Sequence, residues 1–375
     1  MKVVVVIPTY NESANIGRLI DALDVEFKKI SSHELHVLVV EGNSPDGTAD
    51  IVREKMKRFN FVHLLMEEKK AGLGSAYVYG FRYAINELGA DVIVEMDADF
   101  QHDPHELASL IKGIDEGYDY VIGSRFIKGG SIPHEWEFKR KLFSKMGNLV
   151  SKVILGIKDV NDFTTGYKVS RVKGFVDSID LDNLLSRGFA YKIDLLYKMH
   201  KAGAKIKEVP IKFGLRDEGS SKMEKNNLKD SLGVVITLKL REEKTQKFLK
   251  FCAVGFIGLF VDLGLFNILR VVIENPKIAS LISGFIAMMT TFLLNNFWSF
   301  KKTKIEGMKK KVLSFIVYIL SSYVPIVFRS QLIKFSVTRF GDTFWSSNIA
   351  FFVGVVFGLV WNFLVYSKII WKEKK

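Results

Sequence analysis

Asp91-Val92-Ile93-Val94-Glu95-Met96-Asp97-Ala98-Asp99 is the stretch whose reading decides the fold. Its first six residues read as a buried β-strand, and in an extended chain residues i and i+2 point the same way. Asp97 and Asp99 therefore leave the carboxyl end of the strand side by side. Two carboxylates that close repel unless something positive lies between them. A hard divalent cation with oxygen ligands, Mg²⁺ or Mn²⁺, is the natural neutraliser, and it keeps positions open for a diphosphate. Gln101 and His102 follow immediately and offer a third ligand. The plain alternative is two solvated carboxylates at the start of a helix near Pro104.

Working outward, the flanking sequence alternates strands and helices. Val3 to Ile7 is a strand ending at Pro8-Thr9-Tyr10-Asn11-Glu12, with a helix from about Ser13. Leu35 to Val40 is a second strand, ending at Glu41-Gly42-Asn43-Ser44-Pro45-Asp46-Gly47-Thr48, with a helix from Thr48. A third covers Phe61 to Met66, and Glu67 to Gly74 is loop-like before another helix. After the strand that ends at Asp97 and a helix following Pro104, a fifth strand, Tyr120 to Gly123, ends at Ser124-Arg125. This order implies an α/β, Rossmann-like, mostly parallel sheet with helices on both faces. Ligands of such sheets collect beyond the carboxyl ends of the strands. Those ends carry Tyr10, Glu12, Glu41, Asp46, Asp97, Asp99 and Arg125, a rim that solubility alone does not require. Tyr10 offers a ring for a nucleobase or simply packs; Asp46 is either a ligand or an ordinary turn residue. Lys69 and Lys70 before Gly72 are either solvated or cations facing a diphosphate. No Gly-Lys-Ser/Thr follows, so this is not a Walker P-loop.

Composition sets the outer bounds. With 375 residues the chain has room for two domains. The 48% hydrophobic content is unevenly spread: ordinary to about residue 240, then long Phe-rich apolar stretches from about residue 248. The net charge of +13 comes from basic residues bunched beside those stretches, which favours anionic lipid over nucleic acid; no nucleic-acid-binding module is visible. Cys252 is the only cysteine, so no intrachain disulfide forms. Met1-Lys2 runs straight into a strand without a signal peptide, and the amino-terminal domain is expected in the cytosol.

Taken in order, Pro8-Thr9-Tyr10-Asn11-Glu12, Ser44-Pro45-Asp46-Gly47-Thr48, Gly72-Leu73-Gly74, Asp97-Ala98-Asp99, Gly123-Ser124-Arg125 and Phe213 through Lys222 resemble the family 2 glycosyltransferases of GT-A fold. Within them the pattern is most similar to the dolichyl-phosphate mannose synthases. The resemblance covers about the first 225 residues. It implies GDP-mannose as donor, with Pro8, Tyr10, Glu12, Glu41 and Asp46 on the nucleoside, Lys70 and Ala98 in the nucleotide-sugar site, and Asp97, Asp99 and Gln101 holding the metal. One departure stands out: Glu41-Gly42 occupies the place of the family's Asp-Asp.

The chemistry of a phosphate acceptor follows independently. A phosphomonoester with a second pKa near ~6 is already largely dianionic at neutral pH, so it needs cations to hold it rather than a base to activate it. Arg125, Lys139-Arg140-Lys141, Arg216 and Lys222 supply cations, and Ser144 lies one helical turn after Arg140 on the same face. The plain reading of residues 139–141 is a surface charge run touching anionic lipid. By resemblance, Arg125, Arg140, Ser144, Arg216 and Lys222 form the lipid-phosphate site, and Asp99, Arg125 and Asp162 form the catalytic set. Asp162 stands where hydroxyl-using relatives carry a base; here an orienting role is expected.

From Asn226 to Lys244 apolar residues recur at helical spacing, which suits an amphipathic helix in a membrane surface or a docked one. Four apolar stretches follow, about 248–273, 278–299, 312–333 and 345–370, each long enough to span a ~30 Å hydrocarbon core. The expected domains are 1–225, an interfacial region 226–247, and an all-α transmembrane domain 248–375. Lysines cluster after the second and fourth stretches, so positive-inside logic puts the catalytic domain and both chain ends in the cytosol. The second and fourth stretches end in similar text, Phe292 to Phe300 and Asn362 to Lys368, which looks like a duplicated helical pair and resembles the GtrA-type domains. Asp262 and Arg329 are charges inside spans, expected to face each other or else to hydrogen-bond and snorkel separately. The bundle's expected uses are ordering the isoprenoid, forming an oligomer or moving product. The leading reading is an inverting, metal-dependent transfer of mannose to dolichyl or another polyprenyl phosphate. The alternatives are UDP-glucose as donor, a non-catalytic translocator of lipid-linked sugar, and a polysaccharide synthase, which the missing Gln-x-x-Arg-Trp disfavours.

Overall fold

The computed structural model describes residues 1–215, 227–341 and 343–372. Contacts divide the chain into two compact units, Met1–Lys239 and Leu240–Lys375.

In the first unit the strands are β1 (Lys2–Thr9), β2 (Glu34–Glu41), β3 (Val62–Met66), β4 (Val92–Glu95), β5 (Tyr120–Ser124), β6 (Lys168–Arg171) and β7 (Ile206–Pro210). They form one sheet in the order β3-β2-β1-β4-β6-β5-β7. All neighbours are parallel except β6, which runs antiparallel between β4 and β5. The apolar runs of β1 and β4 are fully buried, as expected of strands covered on both faces. Alternation assigns the faces: Val4, Val6 and Ile93 join one core, while Val3, Val5, Ile7, Val92 and Val94 join the other. Beyond β4, Met96 and Ala98 continue into the second core. Glu95 and Asp97 therefore follow Ile93 onto the opposite face, the one lined by Tyr77 and Tyr191.

The helices are α1 (Ser13–Phe27), α2 (Thr48–Arg58), α3 (Leu73–Asn86), α4 (Leu107–Asp115), α5 (Phe138–Leu155), α6 (Tyr191–Lys201) and α7 (Asn227–Arg241). Gly80 lets α3 lie directly on the sheet, because a Cβ there would come within 2.6 Å of Val6 and 2.7 Å of Val40. In α7, Val234, Val235 and Leu238 are buried in the first core, whereas Leu228, Leu232, Ile236 and Leu240 are exposed. The helix has two apolar faces, one docked and one open. Strands β6 and β7 lie beyond the five read from the sequence.

The second unit contains α8 (Glu243–Val272), α9 (Pro276–Leu294), α10 (Met308–Phe340) and α11 (Phe344–Val365). Including the turns that extend α9 and α11, all four are long and apolar enough to cross a membrane, with mean hydropathy from 1.7 to 2.2. α8 packs on α9, and α10 on α11. Both α9 and α11 run into a π-helical turn, Asn295–Ser299 and Tyr366–Ile370. The aromatic residues just after these turns, Phe300 and Trp371, stack at 4.7 Å with their planes 4° apart. Asp262 accepts a hydrogen bond from Ser283 Oγ at 2.6 Å, and Arg329 lies over the Phe351 ring at 4.9 Å. The two charges do not pair among the described residues: each finds its partner within its own helical pair.

Candidate active site

Local hydrogen bonding explains how the first two strand ends build a rigid rim. The loop after β1 and the loop after β2 are cross-linked three times. Asn11 N–H donates to Ser44 Oγ (2.9 Å), Glu12 N–H to Thr48 Oγ1 (3.0 Å) and Ser13 N–H to Asp46 Oδ2 (3.0 Å). Asp46 also accepts from the Thr48 amide and hydroxyl. Burial opposes the Asp46 charge, but the bonds from Thr48 and Ser13 outweigh it and lower the pKa from 3.8 to about 2. Glu41 is buried and turned back onto its own loop, accepting from the Ser44 amide at 3.1 Å and from the Ser44 hydroxyl. Glu12 accepts from Asn15 Nδ2 at 3.0 Å. Beside Glu41, burial and the neighbouring carboxylate push Glu67 upward. Tyr10 and Lys70 come together, with Lys70 Nζ 4.2 Å from the centre of the Tyr10 ring. Pro8 is half-buried at the same strand end.

Asp97 sits in a pocket of buried partners. Tyr77 donates its hydroxyl to Asp97 Oδ1 at 3.0 Å, and Lys192 Nζ lies 3.7 Å from Oδ2. The Asp97 amide donates to His102 Nδ1 at 3.0 Å, which leaves the ring proton on Nε2. That Nε2 is buried without a hydrogen-bond partner, 3.9 Å from Asp97 Oδ2. Burial first, then Lys192 and Arg125, lower the His102 pKa to about 4 against the pull of Asp97, so the ring is neutral. Phe100, at φ 59°, takes the left-handed conformation that a bulky side chain resists. The turn brings the Gln101 amide back to Asp99 Oδ1 at 3.1 Å. The side-chain nitrogen of Gln101 donates to Gly214 O at 3.4 Å. Ala98 is buried between the two aspartates.

The donor set fits a hard dication. Asp97, Asp99 and Gln101 offer two carboxylates and a carboxamide oxygen, the ligands Mg²⁺ and Mn²⁺ favour, and the small donor count leaves coordination positions for substrate oxygens. Among the described residues no cluster of three or more His, Cys, Asp or Glu side chains converges on a metal position. At Gly166 a Cβ would lie 2.3 Å from Lys192 Nζ, 2.9 Å from His102 Cε1 and 3.0 Å from Asp97 Oδ2, so the glycine leaves room for Lys192 and His102 to approach Asp97.

Arg125 and Asp162 form the second centre. Arg125 Nε and Nη2 donate to Asp162 Oδ2 and Oδ1, each at 2.7 Å, and the Arg125 amide adds a bond at 3.0 Å. Thr164 Oγ1 accepts from Nη2 at 2.8 Å, and the Thr164 and Thr165 amides donate to Asp162 Oδ1. Asp162 is fully buried; burial opposes its charge, and the Arg125 guanidinium holds it below the usual carboxylate range. The guanidinium lies 5.1 Å from the Phe213 ring centre. Phe213 packs edge-on against both His102 and Trp136, and Arg140 stacks over Trp136 at 3.8 Å. An aromatic chain thus connects Arg140, Arg125 and the histidine behind Asp97.

Helix α5 carries Arg140, which is exposed, and the half-buried Ser144 on one side. At about 100° per residue, both fall in the arc of the buried Asn148, Ser151 and Leu155. Phe138, Leu142, Met146, Leu149 and Val153 fall within an arc of about 80° on the opposite side, and all five are exposed. Arg216 and Lys222 lie outside the described residues. Tyr77, Lys192 and Thr164 were missed by the sequence reading. Lys192 sits in Tyr191-Lys192-Ile193-Asp194, which reads as an ordinary helix; only its complete burial marks it.

Residues 4–173 match the family described as glycosyl transferase family 2, and residues 250–371 match the GtrA/DPMS transmembrane domain. The dolichol-phosphate mannosyltransferase of Pyrococcus furiosus is 33% identical over 326 residues, 86% of this chain and 88% of that protein. The polyprenol monophosphomannose synthase of Mycolicibacterium smegmatis is 36% identical over 62% of this chain and 84% of its own. The undecaprenyl-phosphate mannosyltransferase of Micrococcus luteus is 40% identical over 60% of this chain and 88% of its own. The GT-A catalytic domain and the all-α transmembrane domain expected from the sequence are both present, and the protein is a membrane glycosyltransferase. The chain belongs to glycosyl transferase family 2, as a member that joins this catalytic domain to a GtrA/DPMS transmembrane domain.

Proposed function

We propose that the chain transfers mannose from GDP-mannose to the phosphate of dolichol or another polyprenol, with inversion, giving a β-linked polyprenyl-phosphate mannose and GDP. An acceptor phosphate oxygen bonds to the anomeric carbon while the bond to the diphosphate oxygen breaks, its electron pair leaving with GDP. The mannose and the polyprenyl acceptor are carried in the names of the three relatives. The single observation that carries the mechanism is the engagement of Asp162. Both of its oxygens are taken by Arg125 and the Thr164 and Thr165 amides. A hydroxyl acceptor requires a base; a phosphate already ionised requires only a fixed cation. Asp162 therefore positions Arg125 rather than accepting a proton.

The other roles belong to the same reading. Tyr10 and Lys70 face the nucleoside diphosphate, and the cross-linked loops holding Glu12, Glu41 and Asp46 keep that rim rigid. Asp97, Asp99 and Gln101 would hold Mg²⁺ or Mn²⁺, which when bound supplies positive charge to the departing diphosphate. Arg125, Arg140 and Ser144 grip the acceptor phosphate, with Arg216 and Lys222 assigned to the same site from sequence. The exposed row of α5 lies in the lipid surface, and its flanking Lys139, Lys141 and Lys145 meet anionic head groups. The lysines at 301, 302, 304 and 309–311 support a cytosolic position for the catalytic domain.

The test is transfer by the purified full chain from labelled GDP-mannose and UDP-glucose to a short polyprenyl phosphate, with Mn²⁺ or with EDTA. Mannose transfer that EDTA abolishes supports the reading; glucose transfer in preference, or transfer unaffected by EDTA, overturns it.

A further inference from the structure

Lys192 is a cation placed where a cation is costly. It lies in the first turn of α6, the positive end of the helix dipole, where an acidic side chain is the favourable choice. Its side chain is only 1% exposed. Taking an ammonium out of water is unfavourable unless opposite charge compensates it. The surroundings nevertheless fix it there. Lys168, itself buried, donates from Nζ to the Lys192 carbonyl at 3.0 Å. Lys192 Nζ lies 4.7 Å from the centre of the Phe189 ring, and a Cβ at Gly166 would collide with it. The compensating carboxylate is Asp97, whose Oδ2 is 3.7 Å away.

This pair is not built like a structural one. Arg125 and Asp162 show what a closed pair is: short, at 2.7 Å, and buried on both sides. Between Lys192 and Asp97 the spacing exceeds hydrogen-bond length, and the carboxylate is 28% exposed. Nor is the ammonium needed to aim Asp97, because Tyr77 donates to Oδ1 at 3.0 Å and the Asp97 amide donates to His102 Nδ1. What Lys192 contributes is charge, in a buried setting where charge acts strongly. We propose that Lys192 is a positioning residue that acts through Asp97 to weaken the site's hold on a dication. The inference rests on the proposed assignment of Asp97, Asp99 and Gln101 to the metal. The ammonium offsets part of the negative charge of the two aspartates and repels a cation placed between them. The same ammonium attracts a diphosphate, which brings negative charge of its own. The dication is then held firmly only together with the nucleoside diphosphate, which suits a site that must release its product at every turnover.

The experiment compares Lys192→Met and, separately, Lys192→Gln with wild type and Asp97→Asn, each as the full chain in nanodiscs. Mn²⁺ binding without nucleotide is measured by electron paramagnetic resonance, and GDP binding in EDTA by calorimetry. Both uncharged replacements are expected to bind Mn²⁺ at least about tenfold more tightly than wild type and to bind GDP more weakly. The opposite signs identify a charge effect, since damage to the fold would weaken both. Melting temperatures are read alongside, and added Mn²⁺ should raise them more in the two replacements than in wild type. Mn²⁺ affinity that is unchanged or weaker in both replacements overturns the inference, and so does GDP binding that does not fall. Loss of folding in both also overturns it, because the ammonium is then a structural part. Equal Mn²⁺ binding by wild type and Asp97→Asn would sink the metal assignment and this inference with it. A loss of Mn²⁺ binding in Asp97→Asn, with no change on replacing Lys192, sinks this inference alone.

Discussion

Replacing Asp162 by Asn isolates the step on which the mechanism turns. The Arg125–Asp162 pair is buried on both sides, with side-chain exposures of 7% and 0%. Asp162 accepts two 2.7 Å bonds from the guanidinium, a third from the Arg125 amide and others from Thr164 and Thr165. In Asn one of these acceptors becomes an NH₂ facing an N–H donor, and the guanidinium is left buried without a counter-charge. Breaking a buried pair this way costs about 3–5 kcal/mol. At about 2–4 °C per kcal/mol for a domain of this size, the catalytic domain should melt about 6–20 °C lower. Arg125→Met with Asp162→Leu removes both charges but leaves the Arg125, Thr164 and Thr165 amides without their acceptor, so its melting temperature should recover only in part, while transfer stays lost. In the transfer assay, Arg125→Ala and Asp162→Asn should be strongly non-additive, because the aspartate acts through the arginine. The refuting outcome is an Asp162→Asn protein that melts normally and binds donor and acceptor normally yet does not turn over. Asp162 would then handle a proton itself.

Asp97→Asn and Asp99→Asn should each lower transfer at least about 100-fold and weaken Mn²⁺ binding measured by electron paramagnetic resonance; unchanged Mn²⁺ affinity in both would remove these residues from the metal site. Asp46 has its pKa lowered from 3.8 to about 2 on folding, so its stabilisation is complete above pH ~4 and disappears as pH falls toward 2. Asp46→Ala should lack that segment of the acid-unfolding curve, followed by fluorescence, and should raise the donor KM; an identical acid limb would show that the loop cross-link contributes nothing. Leu142→Ser with Met146→Ser changes only exposed positions. It should raise the KM for acceptor in vesicles about tenfold or more, in line with losing up to ~1.5–3 kcal/mol per buried apolar side chain, and leave a detergent-dissolved short-chain acceptor unaffected. Equal loss with both acceptors would mean that α5 does not enter lipid.

The donor half was readable because it depends on periodicity and short motifs. The apolar run Val92-Ile93-Val94 in β4 points to a strand buried on both faces, and the two-residue repeat fixes the side on which Asp97 emerges. What the sequence could not display was side-chain direction. Glu41 and Glu12 have the chemistry of ribose ligands, yet a neighbouring Ser44 and Asn15 capture them, since Ser and Asn side chains compete locally for any acceptor in reach. Strand β6 was hidden for a related reason. Lys168 at its start reads as surface, but it is completely buried opposite Glu95 in the register of β4, where opposite charges make the burial tolerable. Lys192 stands 95 positions from Asp97 in sequence and 3.7 Å away in space, and no local pattern announces that proximity.

Helix α5 shows how the acceptor half becomes legible only when both kinds of information are combined. Its sequence displays a basic run, Lys139-Arg140-Lys141, which alone says no more than a charged surface. Helical periodicity separates that run: Arg140, although exposed, shares the side of Ser144 and the buried Asn148 and stacks on Trp136, while the lysines flank a row of five exposed apolar residues on the other side. A water-soluble phosphate would need only the Arg140 face. An outer face of Phe138, Leu142, Met146, Leu149 and Val153 is unfavourable in water and is explained when the phosphate arrives attached to a hydrocarbon chain lying in a membrane. The two faces of one helix would then read the two ends of one acceptor, and it follows that charge removal at Arg140 and apolar loss at Leu142 should be distinguishable: the first impairs every phosphate acceptor, the second only those presented in a bilayer.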